Sequence, residues 1–268
     1  ARLRQAAALI CLLLMLPLSV IADDGRPAAG SDAKDLIKDL ESREGVVASK
    51  AADKLKSSGS ADEEIIAALA KAVRHSNEVV RLTVIEALAQ LGPKAATAGP
   101  ALGEALKDTD PMIREAAALA IFSTGTASEA VVPPLVACLG DGNRNVRANA
   151  ILALSSMDKP PVPVLVKLLE KPDADTRAAA VETLGRIGAP AVPDLLKILC
   201  VDDAGASESA AAALIAIGEP AAAPLVDLLK SGNRQVKQRV GTVLIEIGGP
   251  AVPALVKAIT ESPSTGRK

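Results

Sequence analysis

The sequence predicts an all-α protein, a right-handed α-solenoid (superhelix) of about seven helical hairpins closed by a final single helix. Three observations predict it. A proline recurs at Pro100, Pro133, Pro163, Pro193 and Pro253, with Ala223 in the one vacant slot and Pro224 beside it. A glycine recurs at Gly59, Gly92, Gly125, Gly188, Gly218 and Gly248, with Asp158 substituting once. An Asx residue recurs at Asn77, Asp110, Asn143, Asp173, Asp203 and Asn233, each followed eleven residues on by a large aliphatic: Leu88, Ile121, Leu154, Leu184, Leu214 and Leu244. The step is 33 residues early and 30 later. Periods of this size mark units that bury an apolar face only by stacking on their neighbours.

Residues 1–22 stand outside the array. Arg2 and Arg4 precede an uncharged, Leu-rich run from Gln5 to Ala22, with Pro17 and Ser19 near its end. Val20 and Ala22 suit a cleavage site, and Asp23 and Asp24 follow at once. Together these read as a secretory signal peptide. An uncleaved anchor is the alternative, disfavoured by the short run and its proline. Residues 23–30 read as a flexible linker, and the array occupies 31–260. It opens on a hairpin made polar by Lys34, Asp35, Lys38, Asp39, Glu41 and Arg43, as a terminal cap should be.

Residues 219–248 show the unit plainly. Gly218 ends one helix, Pro220 opens the next, and Leu225, Val226, Leu228 and Leu229 form its apolar stripe. Ser231-Gly232 makes a turn, Asn233 starts the second helix, and Val236, Val240, Val243, Leu244 and Ile247 form the second stripe. Proline suits a first helical turn, where its missing N–H has no partner to lose. Glycine suits the position just past a helix end, where a left-handed backbone is wanted. The Asx side chain accepts from the unpaired N–H groups of the first turn, typically worth about 1 kcal/mol against alanine. A last helix around Pro250–Ile259 carries Val252, Leu255, Val256 and Ile259. It is expected to pack on Val240–Ile247 and to leave its other flank open. Either that flank self-associates or the natural protein continues beyond Lys268. Residues 261–268 read as a disordered tail.

The Pro of the first helix, the Asx-x-x-[Val/Ile]-Arg opening of the second and the closing Gly resemble the HEAT-repeat family, most closely the short repeats first associated with phycobilisome lyases. Asn77 to Arg81, Asp110 to Arg114 and Asn143 to Arg147 carry the pattern most fully. The resemblance implies an interaction fold that hosts unrelated roles. Two enzymes of similar repeats are disfavoured. Deoxyhypusine hydroxylase needs several His-Glu pairs, and none stands here; a phycobilin lyase needs a chromophore cavity, for which an almost aromatic-free chain is poorly equipped.

Four positions after successive caps stand Arg81, Arg114, Arg147 and Arg177, then Ser207 and Lys237. A ladder of cations suggests anion binding. At 100° per residue, however, the position lies near the face carrying Val80, Val84, Leu88 and Leu91. A guanidinium there is half-buried between repeats and needs acceptors, from caps such as Asp110 and Asp173 or from loop carbonyls. The ladder Asn77, Arg81, Asp110, Arg114, Asn143, Arg147, Asp173, Arg177, Asp203 and Asn233 is therefore read as structural, as the family resemblance also implies. His75, the single histidine, lacks partners for catalysis or metal and reads as a surface or capping residue. Cys138 and Cys200 read as small core residues too far apart to pair. No catalytic, metal or cofactor residues are expected.

The ridge of the second helices is the candidate partner surface. Positions two, six, nine and thirteen after each cap are expected to face the concave side. In one repeat these are Met112, Ala116, Leu119 and Ser123, and in the next Asn145, Asn149, Leu152 and Ser156. Both sets are free of charge, whereas Val79, Thr83, Glu86 and Gln90 precede them and Glu182, Arg186, Arg239 and Glu246 charge the ridge farther on. Such a patch suits docking; helix filling with Ala and Leu is the plainer alternative.

Composition narrows the partner. Phe122 is the lone aromatic, so base stacking and aromatic cages are excluded. Without residues 1–22 the chain holds 28 Lys+Arg against 32 Asp+Glu, about −4, too little positive charge for a nucleic-acid footprint. The expected function is a non-catalytic protein–protein interaction scaffold, exported to a bacterial periplasm or extracellular space. A regulatory or accessory subunit of an enzyme is the alternative. The partner is a protein, with no nucleic acid and no membrane apart from the signal segment.

Overall fold

A computed structural model describes residues 30–261 apart from Ala127, Pro172 and Gly232. The expected signal peptide, the linker up to residue 29 and the tail from residue 262 lie outside the described residues. Those residues are all-helical, with no strand among them. They fall into two compact units divided between Val131 and Val132.

In the first unit, hairpins α1 (Gly30–Leu40) with α2 (Gly45–Ser58) and α3 (Glu63–Ala72) with α4 (Glu78–Leu91) come first. A 3-10 stretch, Gly92–Ala98, then leads into α5 (Gly99–Ala105), which pairs with α6 (Pro111–Thr124). First helices pack on their own second helices, and the second helices α2, α4 and α6 lie side by side. The second unit repeats the scheme with α7 (Val132–Cys138) and α8 (Arg144–Ser155), α9 (Val162–Lys167) and α10 (Ala174–Ile187), and α11 (Val192–Leu199) and α12 (Ala204–Ile217). It ends on α13 (Glu219–Ser231), α14 (Arg234–Ile247) and the single α15 (Val252–Glu261). Here α8, α10, α12 and α14 form the second-helix row. Seven hairpins and a last helix are thus present among the described residues.

The core follows the repeat. The aliphatics eleven residues after the caps, Leu88, Ile121, Leu154, Leu184, Leu214 and Leu244, are all buried. So are Val80, Ile113, Val146, Ala206 and Val236, three residues after theirs. Truncating one of the leucines to alanine costs about 2–5 kcal/mol at such sites.

Proline and glycine punctuate the helices as their chemistry requires. Pro100, Pro133, Pro163, Pro193 and Pro253 each stand second in their helix, where the absent N–H breaks no ladder. The closing glycines all have positive φ, but they divide into two kinds. Gly59 and Gly125 are left-handed helical, as expected, and precede loops. Gly92, Gly188, Gly218 and Gly248 combine φ of 58–77° with ψ near −130°, a region essentially closed to side chains. There the chain reverses at once into the next hairpin.

The last helix corrects one expectation. α15 packs chiefly on α13, and the contact with α14 is made by the preceding 3-10 turn, Gly249–Ala251. First helices stack on first helices, and α15 obeys that rule rather than lying over Val240–Ile247.

Candidate functional site

Each second helix begins on its Asx residue. Asn77 Oδ1 accepts from the N–H of Val79 and Val80 at 2.9 and 3.3 Å. Asn143 does the same for Asn145 and Val146, while Asp110 accepts from Met112 at 2.8 Å. Asp173, Asp203 and Asn233 each accept from the third residue on: Thr176, Ala206 and Val236. The Thr176 bonds hold the Asp173 carboxyl below the usual range.

The arginines four residues further on reach backward into the loop before the cap. Nη1 of Arg81 donates to the carbonyls of His75 and Ser76 at 3.0 and 3.2 Å. Nη1 of Arg114 donates to Asp108 and Thr109, and that of Arg147 to Asp141 and Gly142. Nη1 of Arg177 donates to Lys171 at 2.7 Å. Each of these four guanidiniums is half-buried and closes its own hairpin loop. The acceptors are loop carbonyls, the second of the two sources considered from sequence.

The residue two before the cap completes the loop, a role sequence reading missed. Asp108 Oδ1 accepts from the Asp110 N–H, Asp141 Oδ1 from the Asn143 N–H, and His75 Nδ1 from the Asn77 N–H. His75 Nε2 then donates to the Ser42 carbonyl of the preceding hairpin at 2.9 Å, so its capping role also ties two repeats. Arg81 reaches the other way: its Nε and Nη2 grip Asp108 of the next hairpin at 2.8 and 3.3 Å. Burial pushes the Asp108 carboxyl up, but the Asp110 N–H and the Arg81 guanidinium together outweigh it and hold it below the ordinary range. The available signal was the position itself: His, Asp and Asp at a fixed offset from three caps.

Where the ladder lacks its arginine, a later residue substitutes. Ser207 is buried and donates to the Leu199 carbonyl at 3.3 Å. Arg239 of the next second helix donates Nη1 to Leu199 and Val201 carbonyls at 3.1 and 2.7 Å. Val201 occupies the loop position that His75, Asp108 and Asp141 occupy elsewhere. Sequence reading placed Arg239 on the exposed ridge; the structure turns it into the preceding loop.

The ridge is narrower than the helical wheel suggests. Position two is open: Val79 and Met112 are 52% and 61% exposed, and Asn145 is exposed. Position six is not, since Thr83 is buried and Ala116 and Asn149 are half-buried. Leu119, Ser123, Leu152 and Ser156 are also half-buried. Met112, Ala116, Leu119 and Ser123 belong to α6 of the first unit; Asn145, Asn149, Leu152 and Ser156 belong to α8 and its end in the second.

Little else in the described residues resembles a chemical site. No group of three His, Cys, Asp or Glu is placed to hold a metal ion among them. An open groove of ≈ 420 Å³ beside Arg74, His75, Arg81, Glu104 and Asp108 carries both signs of charge. Asp108 is held there by Arg81, and Glu104 by Lys107 at 2.9 Å. Cys138 is buried as expected, but Cys200 is exposed, because it caps the short α11 rather than lying within it. No single helix among the described residues is long and apolar enough to cross a membrane.

The model of the family described as HEAT repeats matches residues 33–121, 99–163, 132–218 and 162–233, most of the chain. The chain belongs to the HEAT-repeat family. Among curated proteins, none shows significant similarity. Solved structures give likenesses of fold. The archaeal HEAT-like repeats protein from Thermococcus onnurineus NA1 is 15% identical, with 82% of this chain and 98% of that one covered at TM-score 0.49. The complex of CpcE and CpcF of phycocyanin lyase from Nostoc sp. PCC7120 is 19% identical, covering 91% and 99% at 0.46. A designed armadillo repeat protein is 21% identical, covering 69% and 99% at 0.44.

Proposed function

We propose that this HEAT-repeat chain is a non-catalytic scaffold that binds a protein partner along the ridge of its second helices. One observation carries the reading. Caps, ladder arginines and the acidic residues before the caps are all engaged within the loops, while the residue two after each cap is exposed in both units. The polar groups hold the frame, and the exposed position differs from repeat to repeat: Val79 and Met112 in the first unit, Asn145 and Asp175 in the second. A frame held constant beneath a varied surface suits recognition of another macromolecule. Export is part of the proposal, supported by the charged start, apolar run and small-residue stop in residues 1–22.

The test is Met112→Glu with Asn145→Glu. Both sites lie in a first helical turn, where a carboxylate suits the dipole, so melting should stay within about 0.5 kcal/mol of wild type. Crosslinking capture from the native compartment should lose the partner. Undiminished capture by the folded double variant would refute the ridge.

A further inference from the structure

The residue two before the cap is a carboxylate in two hairpins and an imidazole in a third. Asp108 and Asp141 take the cap N–H on a carboxylate oxygen, whereas His75 takes the Asn77 N–H on Nδ1 at 3.0 Å. Two backbone groups fix the state of that ring. A backbone N–H only donates, so Nδ1 carries no proton. A carbonyl only accepts, so Nε2 carries one and gives it to Ser42 at 2.9 Å. The half-buried ring is thus held neutral, in one tautomer. An imidazolium would set a second N–H against that of Asn77 and could form only by giving the bond up.

The same ring joins the first two hairpins. Between the second and third, Arg81 grips Asp108; the position 33 residues before Arg81 is Ala48, so no guanidinium crosses from α2, and His75 reaches back to Ser42 instead. Beside it, Asn77 lies so close to the start of α2 that a side chain on Gly45 would run into its amide. The charges around the ring are already matched. In the groove that His75 lines, Asp108 holds Arg81 and Glu104 holds Lys107, and Arg74 adds a positive charge on the ring's own loop. On the Ser42 side, Glu41 holds Lys71, and Arg43 and Glu44 are exposed neighbours of opposite sign. Each carboxylate lining the groove therefore already has its cation.

We propose that His75 is a pH-sensitive latch between the first two hairpins, closed while its ring is neutral and open once it is protonated. Opening frees the loop ends of α2 and α4, where Val46 and Val79 are 69% and 52% exposed, so the spacing of that surface changes with pH. The packing of α2 on α4 and the Lys56–Glu86 pair keep the rest of the two hairpins together. The latch holds fully where a free histidine is neutral and weakens as pH falls through about 6.5. With a proton taken up only by the open ring, the open fraction rises about tenfold between about pH 7.5 and about pH 5.5. The latch does not depend on the ridge being a partner surface.

Nuclear magnetic resonance of the full chain decides it, since His75 is the single histidine. At about pH 7.5 a long-range nitrogen–proton spectrum should show one neutral tautomer, protonated at Nε2. A tautomer mixture, or a proton on Nδ1, overturns the proposal. Amide exchange, corrected for its intrinsic pH dependence, supplies the second reading. Ala48 and Arg81, whose N–H groups bond the Glu44 and Asn77 carbonyls, should lose about tenfold in protection at about pH 5.5, while Arg114, bonded to the Asp110 carbonyl, should not change. His75→Asp, which copies Asp108, should keep Ala48 and Arg81 constant over that range, and His75→Asn should do the same. Wild-type protection that is flat with pH, a fall that includes Arg114, or a fall that persists in both variants overturns the latch.

Discussion

Asp108 shows how much one carboxylate can organise in this molecule. It turns the loop before Asp110, accepts the Arg81 fork from the preceding hairpin, and lends its own carbonyl to Arg114. Its folded pKa is lowered. Its contribution is therefore complete above the unfolded value of about 4 and is lost as pH falls through the folded value. Acid melting curves should show wild type losing stability below about pH 4 more steeply than Asp108→Asn. At neutral pH that variant should be less stable by about 1–3 kcal/mol. Equal acid slopes for the two would show that the carboxylate is not engaged. The caps and ladder arginines were legible because a fixed spacing singles them out. Asp108, Asp141 and His75 were not, because a short polar residue in a loop looks like any other until its partners are seen.

Between elements, the sixth hairpin borrows from the seventh. Ser207 is too short to close the α11–α12 loop, and Arg239 closes it from α14. Arg239→Ala should lower stability by about 1–3 kcal/mol in urea unfolding. Ser207→Arg in that background should recover most of the loss by restoring the guanidinium to its usual place in the ladder. Failure to recover would mean that the Arg239 bonds carry little weight. The sequence showed the gap in the ladder but not its remedy, since that bond spans 38 residues. Ridge position six was misjudged for a related reason. A helical wheel gives a direction, whereas the side-by-side packing of second helices decides how much of that direction is covered.

Across the whole molecule, the repeat period alone fixed helix order, hairpin number and the buried aliphatic layer, because every unit restates the same constraints. The division between Val131 and Val132 lies close to the place where the proline step drops from 33 to 30 residues, at Pro133. Charge also acts at this scale. With 30 Lys+Arg against 32 Asp+Glu, the chain should give no shift of duplex DNA even in about 50 mM salt. A shift that weakens steeply as salt is raised would contradict that expectation.

The reversals at Gly188, Gly218 and Gly248 share nearly one backbone conformation at thirty-residue intervals. A second copy of residues 219–248 spliced in after Gly248 would meet the same joint at both of its borders. Tandem duplication of the coding segment would thus lengthen the array with no new junction to invent.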